Sequence, residues 1–299
     1  MLVNICSRVQ ISLFAIAFAF LLSACGGGPL EIEGPRDSDY TTIGESNTVV
    51  FIHGMYSTPK VWQSWVGYFD ALGYDTYSPA WPLHGSTIEE LNAIHPDEAL
   101  GALKLEEVIE HYRTFLATLD ELPILIGHSM GGIITQVLVQ EGLAAGGIAI
   151  SSAPPFGLIS VDPNFLRSNA SGLTGNISTP LVMTFKQFQF AFTNGDALRD
   201  QETLYETYMV PEGRRIARGT LTTAASIDYK QSRTPLLFVA GNNDHMIPAS
   251  LNRANFNKYD KTPGITDYVQ YPDLNHYGVL SAGWESIADY SIDWIERTR

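Results

Sequence analysis

Ile124-Leu125-Ile126-Gly127-His128-Ser129-Met130-Gly131-Gly132-Ile133-Ile134 is the stretch on which the fold turns. A short apolar run ends at Gly127, and Ile133, Ile134, Val137 and Leu138 then recur at helical spacing. Ser129 therefore sits where a buried strand gives way to a helix, the setting of a nucleophile elbow, which lifts a serine hydroxyl clear of the sheet. The pattern Gly-x-Ser-x-Gly arises easily by chance. Its position between strand and helix is what carries weight.

Working outward, the same alternation repeats. Val49 to Ile52 forms an all-apolar run ending at His53-Gly54, as expected of a strand buried on both faces. Thr58-Pro59 opens a helix carrying Trp62, Trp65, Val66, Phe69 and Leu72, and Gly73 ends it. Tyr74 to Tyr77 reads as a strand and Ile88 to Leu119 as one or two helices. Further strands are expected at Gly147 to Ser151, Leu236 to Ala240 and Asp267 to Tyr271, with a last helix from Trp284 to Glu296. Strands alternating with helices predict an α/β domain, a mostly parallel central sheet with helices on both faces. Between about 154 and 233 the alternation breaks. Pro154, Pro155 and Gly157 begin an irregular segment, followed by short helices around Phe185 to Phe192, Leu198 to Val210 and Arg214 to Ala225. Such an insertion lies over the carboxyl ends of the strands, where ligands bind in open α/β sheets, and reads as a helical cap.

A serine hydroxyl becomes nucleophilic when a base takes its proton and a third group orients that base. Asp244 follows the Leu236 strand in Gly241-Asn242-Asn243-Asp244, and His276 follows the Asp267 strand in Asp273-Leu274-Asn275-His276. Ser129, Asp244 and His276 thus occur in the order expected of this architecture, each after a different strand. Strand ends converge, so the three can meet. His245 is the nearest competitor as base, but as the immediate neighbour of Asp244 it is poorly placed to be oriented by that carboxylate. The backbone N–H groups of Met130, next to the nucleophile, and Met55, in the loop after the first core strand, are the candidate donors to a developing oxyanion. His84 is a candidate pocket residue with an equally good structural reading. No His-Glu-x-x-His or similar metal spacing and no glycine-rich phosphate loop is present, so neither metal nor organic cofactor is expected.

Val49 to Met55, Ile124 to Gly132, Asp244 to Pro248 and His276 together resemble the α/β-hydrolase superfamily, in its His-Gly-x subset with a cap after the sixth strand. The resemblance spans about residues 48–297. It implies a serine hydrolase that cleaves a carboxylic ester, esterase- or lipase-like, through an acyl-enzyme. It also admits a thioesterase, a lactonase, a lysophospholipase or a perhydrolase on the same scaffold. A non-catalytic envelope binding protein is the alternative of another class. So little chain precedes Thr48 that the first two strands of the full eight-stranded fold are expected to be short or absent.

At 299 residues, 45% hydrophobic and 17% charged, the chain has the makings of a sizeable core. A formal charge of -14 disfavours nucleic acid as a partner, since phosphate binding depends on Lys and Arg. Residues 1–25 stand apart: Arg8 precedes an uncharged run from Ile11 to Leu22, and Leu22-Ser23-Ala24-Cys25 follows. This resembles a bacterial lipoprotein signal peptide whose Cys25 becomes the lipidated first residue, which implies a protein anchored in the cell envelope, at the outer membrane of a diderm. With Cys6 removed and Cys25 lipidated, no thiol is left for a disulfide. Residues 26–47, with three consecutive glycines and two prolines, are expected to be a flexible tether to the domain at 48–299. The expected partners are a small-molecule ester or lipid-like substrate and the membrane that holds the lipid.

Overall fold

The computed structural model describes residues 31–33, 41–231, 233–259 and 263–299. In chain order the strands are β1 (Glu31–Glu33), β2 (Thr48–Ile52), β3 (Asp75–Tyr77), β4 (Ile124–His128), β5 (Gly146–Ile150), β6 (Leu236–Gly241) and β7 (Thr266–Tyr271). They form one sheet in the order β1-β7-β6-β5-β4-β2-β3. All neighbours run parallel except β1, which pairs antiparallel with β7.

Helices fill the crossovers. A 3-10 turn at Pro59–Trp62 leads into α1 (Gln63–Ala71); α2 (Ile88–Ile94), α3 (Glu98–Ala102) and α4 (Leu105–Leu116) precede β4; α5 (Met130–Gln140) follows it. Between β5 and β6 come α6 (Pro163–Leu173), α7 (Phe185–Ala191), α8 (Leu198–Tyr208), α9 (Arg214–Gly219) and a 3-10 turn at Thr223–Ala225. Finally α10 (Ala249–Lys258) lies between β6 and β7, and α11 (Glu285–Arg297) closes the chain.

The central strands are buried along their whole length. This explains why they read as continuous apolar runs rather than alternating ones. Successive residues still point to opposite faces. Leu237, Val239 and Val269 join the larger core, whereas Leu236, Phe238, Ala240 and Tyr268 meet Ala249, Phe256 and Tyr259 of and after α10. The larger core is aromatic near β2: Phe51 lies 5.1 Å from Trp62 and 5.4 Å from Phe69 between ring centroids.

Two regions differ from the sequence expectation. Within 26–47, expected to be a flexible tether, the described residues are held: β1 adds to the sheet edge and Ile43 is buried, its N–H donating to the carbonyl of Thr298 at 2.8 Å. Edge pairing is made by backbone and one buried side chain has no periodicity, so neither leaves a pattern to read. Among the described residues nothing pairs on the outer side of β3, and the one strand before Thr48 lies at the opposite edge. The second difference is α6, a helix of three turns in what reads as irregular chain. Its signal is local: Asp162 accepts from the N–H groups of Asn164 and Phe165, and Pro163 occupies the first turn.

The strand-to-helix turn after β4 requires backbone to touch backbone. A Cβ on Gly127 would stand 2.1 Å from the carbonyl oxygen of Gly131, and one on Gly131 would stand 2.1 Å from that of Ile52. Neither neighbour is a flexible side chain that could move aside. Gly127→Ala should therefore lower unfolding free energy by about 3 kcal/mol, an overpacking cost at the upper end of the usual range. Urea unfolding is the measurement; an unchanged midpoint would mean that helix and strand are not in this contact.

Candidate active site

Ser129 adopts φ 56° and ψ -116°, a left-handed conformation that is strained for a residue with a side chain. Hydrogen bonds on both sides of the turn hold it there. Its N–H donates to the carbonyl of Ile150 at 2.9 Å, and its own carbonyl accepts from Gly132 at 3.0 Å and Ala153 at 2.9 Å. The turn is thereby tied to β5 and its following loop as well as to α5.

Asp244 and His276 come to it from the ends of β6 and β7. His276 Nε2 lies 3.0 Å from Ser129 Oγ, and His276 Nδ1 lies 2.8 Å from Asp244 Oδ2. The carboxylate can only accept, so the ring proton sits on Nδ1 and Nε2 presents its lone pair to the serine hydroxyl. Asp244 is itself fixed, Oδ1 accepting from the N–H groups of Met246 at 2.9 Å and Ile247 at 2.7 Å. Asp244 and His276 are 2% and 1% exposed, so solvent does not compete for either contact. His245 turns elsewhere, with Nδ1 on the carbonyl of Phe190 at 2.9 Å.

Gly54 packs against the serine: a Cβ there would stand 2.9 Å from Ser129 Cβ. Its carbonyl accepts from His53 Nδ1 and from Ser57 Oγ, each at 2.9 Å. Because a peptide unit is planar and trans, holding the Gly54 carbonyl aims the Met55 N–H the other way. Met130 supplies the first N–H of α5, a position with no intrahelical acceptor. Both residues line the cavity that opens on Ser129.

That cavity, of about 200 Å³, is walled mainly by apolar side chains. Leu158, Phe165, Leu166 and Leu173 enter from the β5–β6 insertion, and Met246 and Ile247 from the loop that carries Asp244. Ile159, Leu166 and Leu221 line it and are also largely exposed, which makes its rim apolar. The insertion therefore contributes much of the wall, α6 included. His84 is not among the lining residues. It is buried behind the loop that carries Gly54, its ring centroid 5.7 Å from that of His53. Among the described residues no group of three His, Cys, Asp or Glu side chains could hold a metal ion.

Two further histidines support the site without touching its chemistry, and sequence reading did not single them out. His128 Nε2 donates to the carbonyl of His276 at 2.7 Å, steadying that residue's backbone. His53 accepts from the N–H of Trp81 at 3.2 Å through Nε2 while donating from Nδ1. Burial holds both well below the ordinary histidine value, with the nearby rings of His276 and His84 respectively adding to the effect. Their only sequence signal is adjacency, one to Ser129 and the other to Gly54.

With this geometry in view the relatives can be placed. The alpha/beta hydrolase family model matches residues 49–289, and the chain belongs to that family. It is 26% identical over 229 residues to the Mycoplasma genitalium protein named "Putative esterase/lipase 3", covering 72% of this chain and 75% of that one. Among solved structures it resembles a monoacylglycerol lipase of Paleococcus ferrophilus, with TM-score 0.60, 16% identity, and 90% of this chain and 100% of that one covered. A pyrethroid hydrolase from Sphingobium faniae matches with TM-score 0.61 and 18% identity over 84% of this chain and 98% of that one. These structural likenesses define a shared fold.

The buried histidines make stability depend on pH. In the unfolded chain each binds a proton near pH 6.5, whereas in the folded protein each stays neutral to much lower pH. The unfolded state then holds more protons, so stability falls as pH drops below 6.5, by up to about 1.4 kcal/mol per pH unit for each histidine. Urea unfolding between pH 7.5 and 5.5 should show this loss. His128→Gln, whose amide can take over the donation to His276, should remove about half of the slope; a slope unchanged in that variant would refute the assignment.

Proposed function

We propose that this protein is a serine hydrolase that cleaves carboxylic esters through an acyl-enzyme on Ser129. The observation that carries the reading is the unbroken line of contacts from Ser129 Oγ through His276 to Asp244 at the mouth of an apolar cavity. Ser129 Oγ attacks the ester carbonyl carbon as its proton passes to His276 Nε2, and the resulting imidazolium is stabilised by Asp244. Charge on the carbonyl oxygen is received by the N–H groups of Met55 and Met130. The C–O bond then breaks and the alcohol leaves with the proton from His276. Water enters along the same path and releases the acid.

The substrate side follows from the cavity wall. Leu158, Phe165, Leu166 and Leu173 offer an acyl chain apolar surface but few polar partners, so burial area rather than hydrogen bonding sets preference. We read the helices between β5 and β6 as a cap that selects the acyl chain, and a lipid-like ester as the substrate class. The apolar rim at Ile159, Leu166 and Leu221 suits delivery from a lipid surface. An envelope location with lipid on Cys25 agrees with this. That proposal rests on the sequence of residues 1–25, which lie outside the described residues.

Purified wild-type protein should hydrolyse p-nitrophenyl esters, faster for octanoate than for acetate, and should be labelled by a fluorophosphonate probe. Ser129→Ala should abolish both labelling and turnover, lowering kcat by more than about 10³-fold. Undiminished turnover in that variant would end the proposal, and a preference for acetate would remove its lipid-like half. For the anchor, growth of the native host with an alkynyl fatty acid should label the wild-type protein and leave Cys25→Ser unlabelled; equal labelling of the two would exclude Cys25 as the acceptor.

A further inference from the structure

Behind the loop that carries Met55 lies a buried ionisable pair that the reaction above does not use. Glu212, between α8 and α9, is fully buried, and its Oε2 stands 3.3 Å from Nε2 of His84, also buried. The other ring nitrogen of His84, Nδ1, faces the carbonyl of Pro82 at 3.0 Å. A neutral imidazole has one donor and one acceptor, yet both nitrogens here look onto oxygens that accept. The Nε2 contact with Glu212 is an ion-pair distance and not a hydrogen bond of standard geometry, so the two buried groups attract only when the pair holds a proton beyond neutral His84 and ionised Glu212.

Glu212 is also tied to the loop. Its Oε1 accepts from the N–H of Gly213 at 2.7 Å and its Oε2 from the N–H of Tyr56 at 3.4 Å. The Tyr56 carbonyl accepts from Val210 at 3.2 Å, so the residue is gripped on both sides by one segment of the insertion. That segment is in turn anchored by paired backbone hydrogen bonds between Glu212 and Leu181, at 2.7 and 2.8 Å. Tyr56 needs such a grip, because its φ of 61° is the left-handed region that a residue with a side chain adopts only under constraint. One residue upstream is Met55. The peptide that presents its N–H is thus clamped at the Gly54 carbonyl by His53 and Ser57, and beyond Met55 by Glu212 and Val210.

We propose that Glu212, with His84 as its proton-sharing partner, is a positioning residue for acyl transfer: it holds the strained Tyr56 turn so that the Met55 N–H keeps its aim at the oxygen above Ser129. The proposal rests on the ester-hydrolase reading given above. It makes oxyanion binding depend on a proton held about the insertion and the loop together. The groups facing the pair are His53 and Tyr56 from the loop, His95 and Asp97 across a small cavity lined by Leu83, Leu100 and Pro211, Lys60 and Glu89 in the groove on the other side of His84, and Arg214 near Tyr56. Burial acts to lower the His84 value, but the Glu212 charge and contact and the Pro82 carbonyl together outweigh it, and the net direction is upward from about 6.5. A raised histidine keeps its proton, and the contact it makes, at low pH and loses both as pH rises through the folded value. The His84–Glu212 contact is therefore present below the folded value and is lost as pH rises through it.

The test joins kinetics to a direct view of the proton. Nitrogen-15 NMR of the histidine rings in wild-type protein at pH 6, below the ordinary histidine value, should find both His84 nitrogens protonated, or Nε2 accepting a proton from the carboxyl; a bare Nε2 facing ionised Glu212 at that pH would overturn the proposal without any substitution. On p-nitrophenyl butyrate, Glu212→Gln keeps the side-chain volume but turns one oxygen into a donor aimed at an N–H. It should lower kcat by about 10-fold to 100-fold, less than or equal to the loss of an oxyanion donor, with KM changed by less than about 3-fold. Wild-type kcat should fall as pH rises through the folded His84 value, and His84→Gln, whose amide donates at every pH, should flatten that limb. Wild-type kcat in Glu212→Gln, or that limb unchanged in His84→Gln, would overturn the positioning role. Fluorophosphonate labelling of the wild type is run first: an unlabelled protein overturns the ester-hydrolase reading and the positioning role with it, whereas a labelled protein with unaltered variants overturns the positioning role alone.

Discussion

A serine held in a left-handed turn between a buried strand and a buried helix is the constraint from which the rest of the molecule follows. Ser129 can occupy φ 56° because glycines on either side let β4, α5 and the end of β2 come into backbone contact. That contact in turn requires strands packed on both faces, which only a covered parallel sheet supplies. The sheet then places the ends of β6 and β7 beside the turn. Asp244 and His276 reach Ser129 because their loops leave the carboxyl ends of parallel strands, as Ser129 does, not because they are near it in sequence.

Around this turn the chain uses histidine in chemically different ways. His276 has one acceptor and one donor as partners and can pass a proton along the line between them. His53 is likewise satisfied as a neutral ring, His128 donates from Nε2 alone, and burial holds both below the ordinary histidine value. His84 alone among these meets acceptors at both nitrogens, so its environment asks for an additional proton. The side chain is the same in each case, and its partners determine its state.

The insertion between β5 and β6 has a double relation to the site. On one side α6 and its neighbours wall the cavity, with residues whose only common property is that they are apolar. On the other side Glu212 and Val210 reach beneath the loop that carries Met55. The cavity wall and the support of the Met55 loop therefore meet in one segment of chain. A change in the packing of that segment would be felt in both.

Much of this was legible from sequence because it is written in local pattern. Apolar runs of strand length, helical spacing after Ser129 and Thr58, and turns placed just after β6 and β7 each lie within a few residues, and they define the alternation and the order Ser129, Asp244, His276. The α6 helix had a readable cap in Asp162-Pro163, but the prolines and glycine before it masked the signal. The placement of β1 on the far edge and the burial of Ile43 left no pattern, since one is backbone pairing and the other a single side chain. The meeting of His84 with Glu212, and of Glu212 with Tyr56, joins residues 128 and 156 positions apart in the chain. Local sequence determined which elements form and which residues stand at their ends. Only the tertiary structure decided which buried charges face one another, because burial and partnership depend on distance in space rather than along the chain.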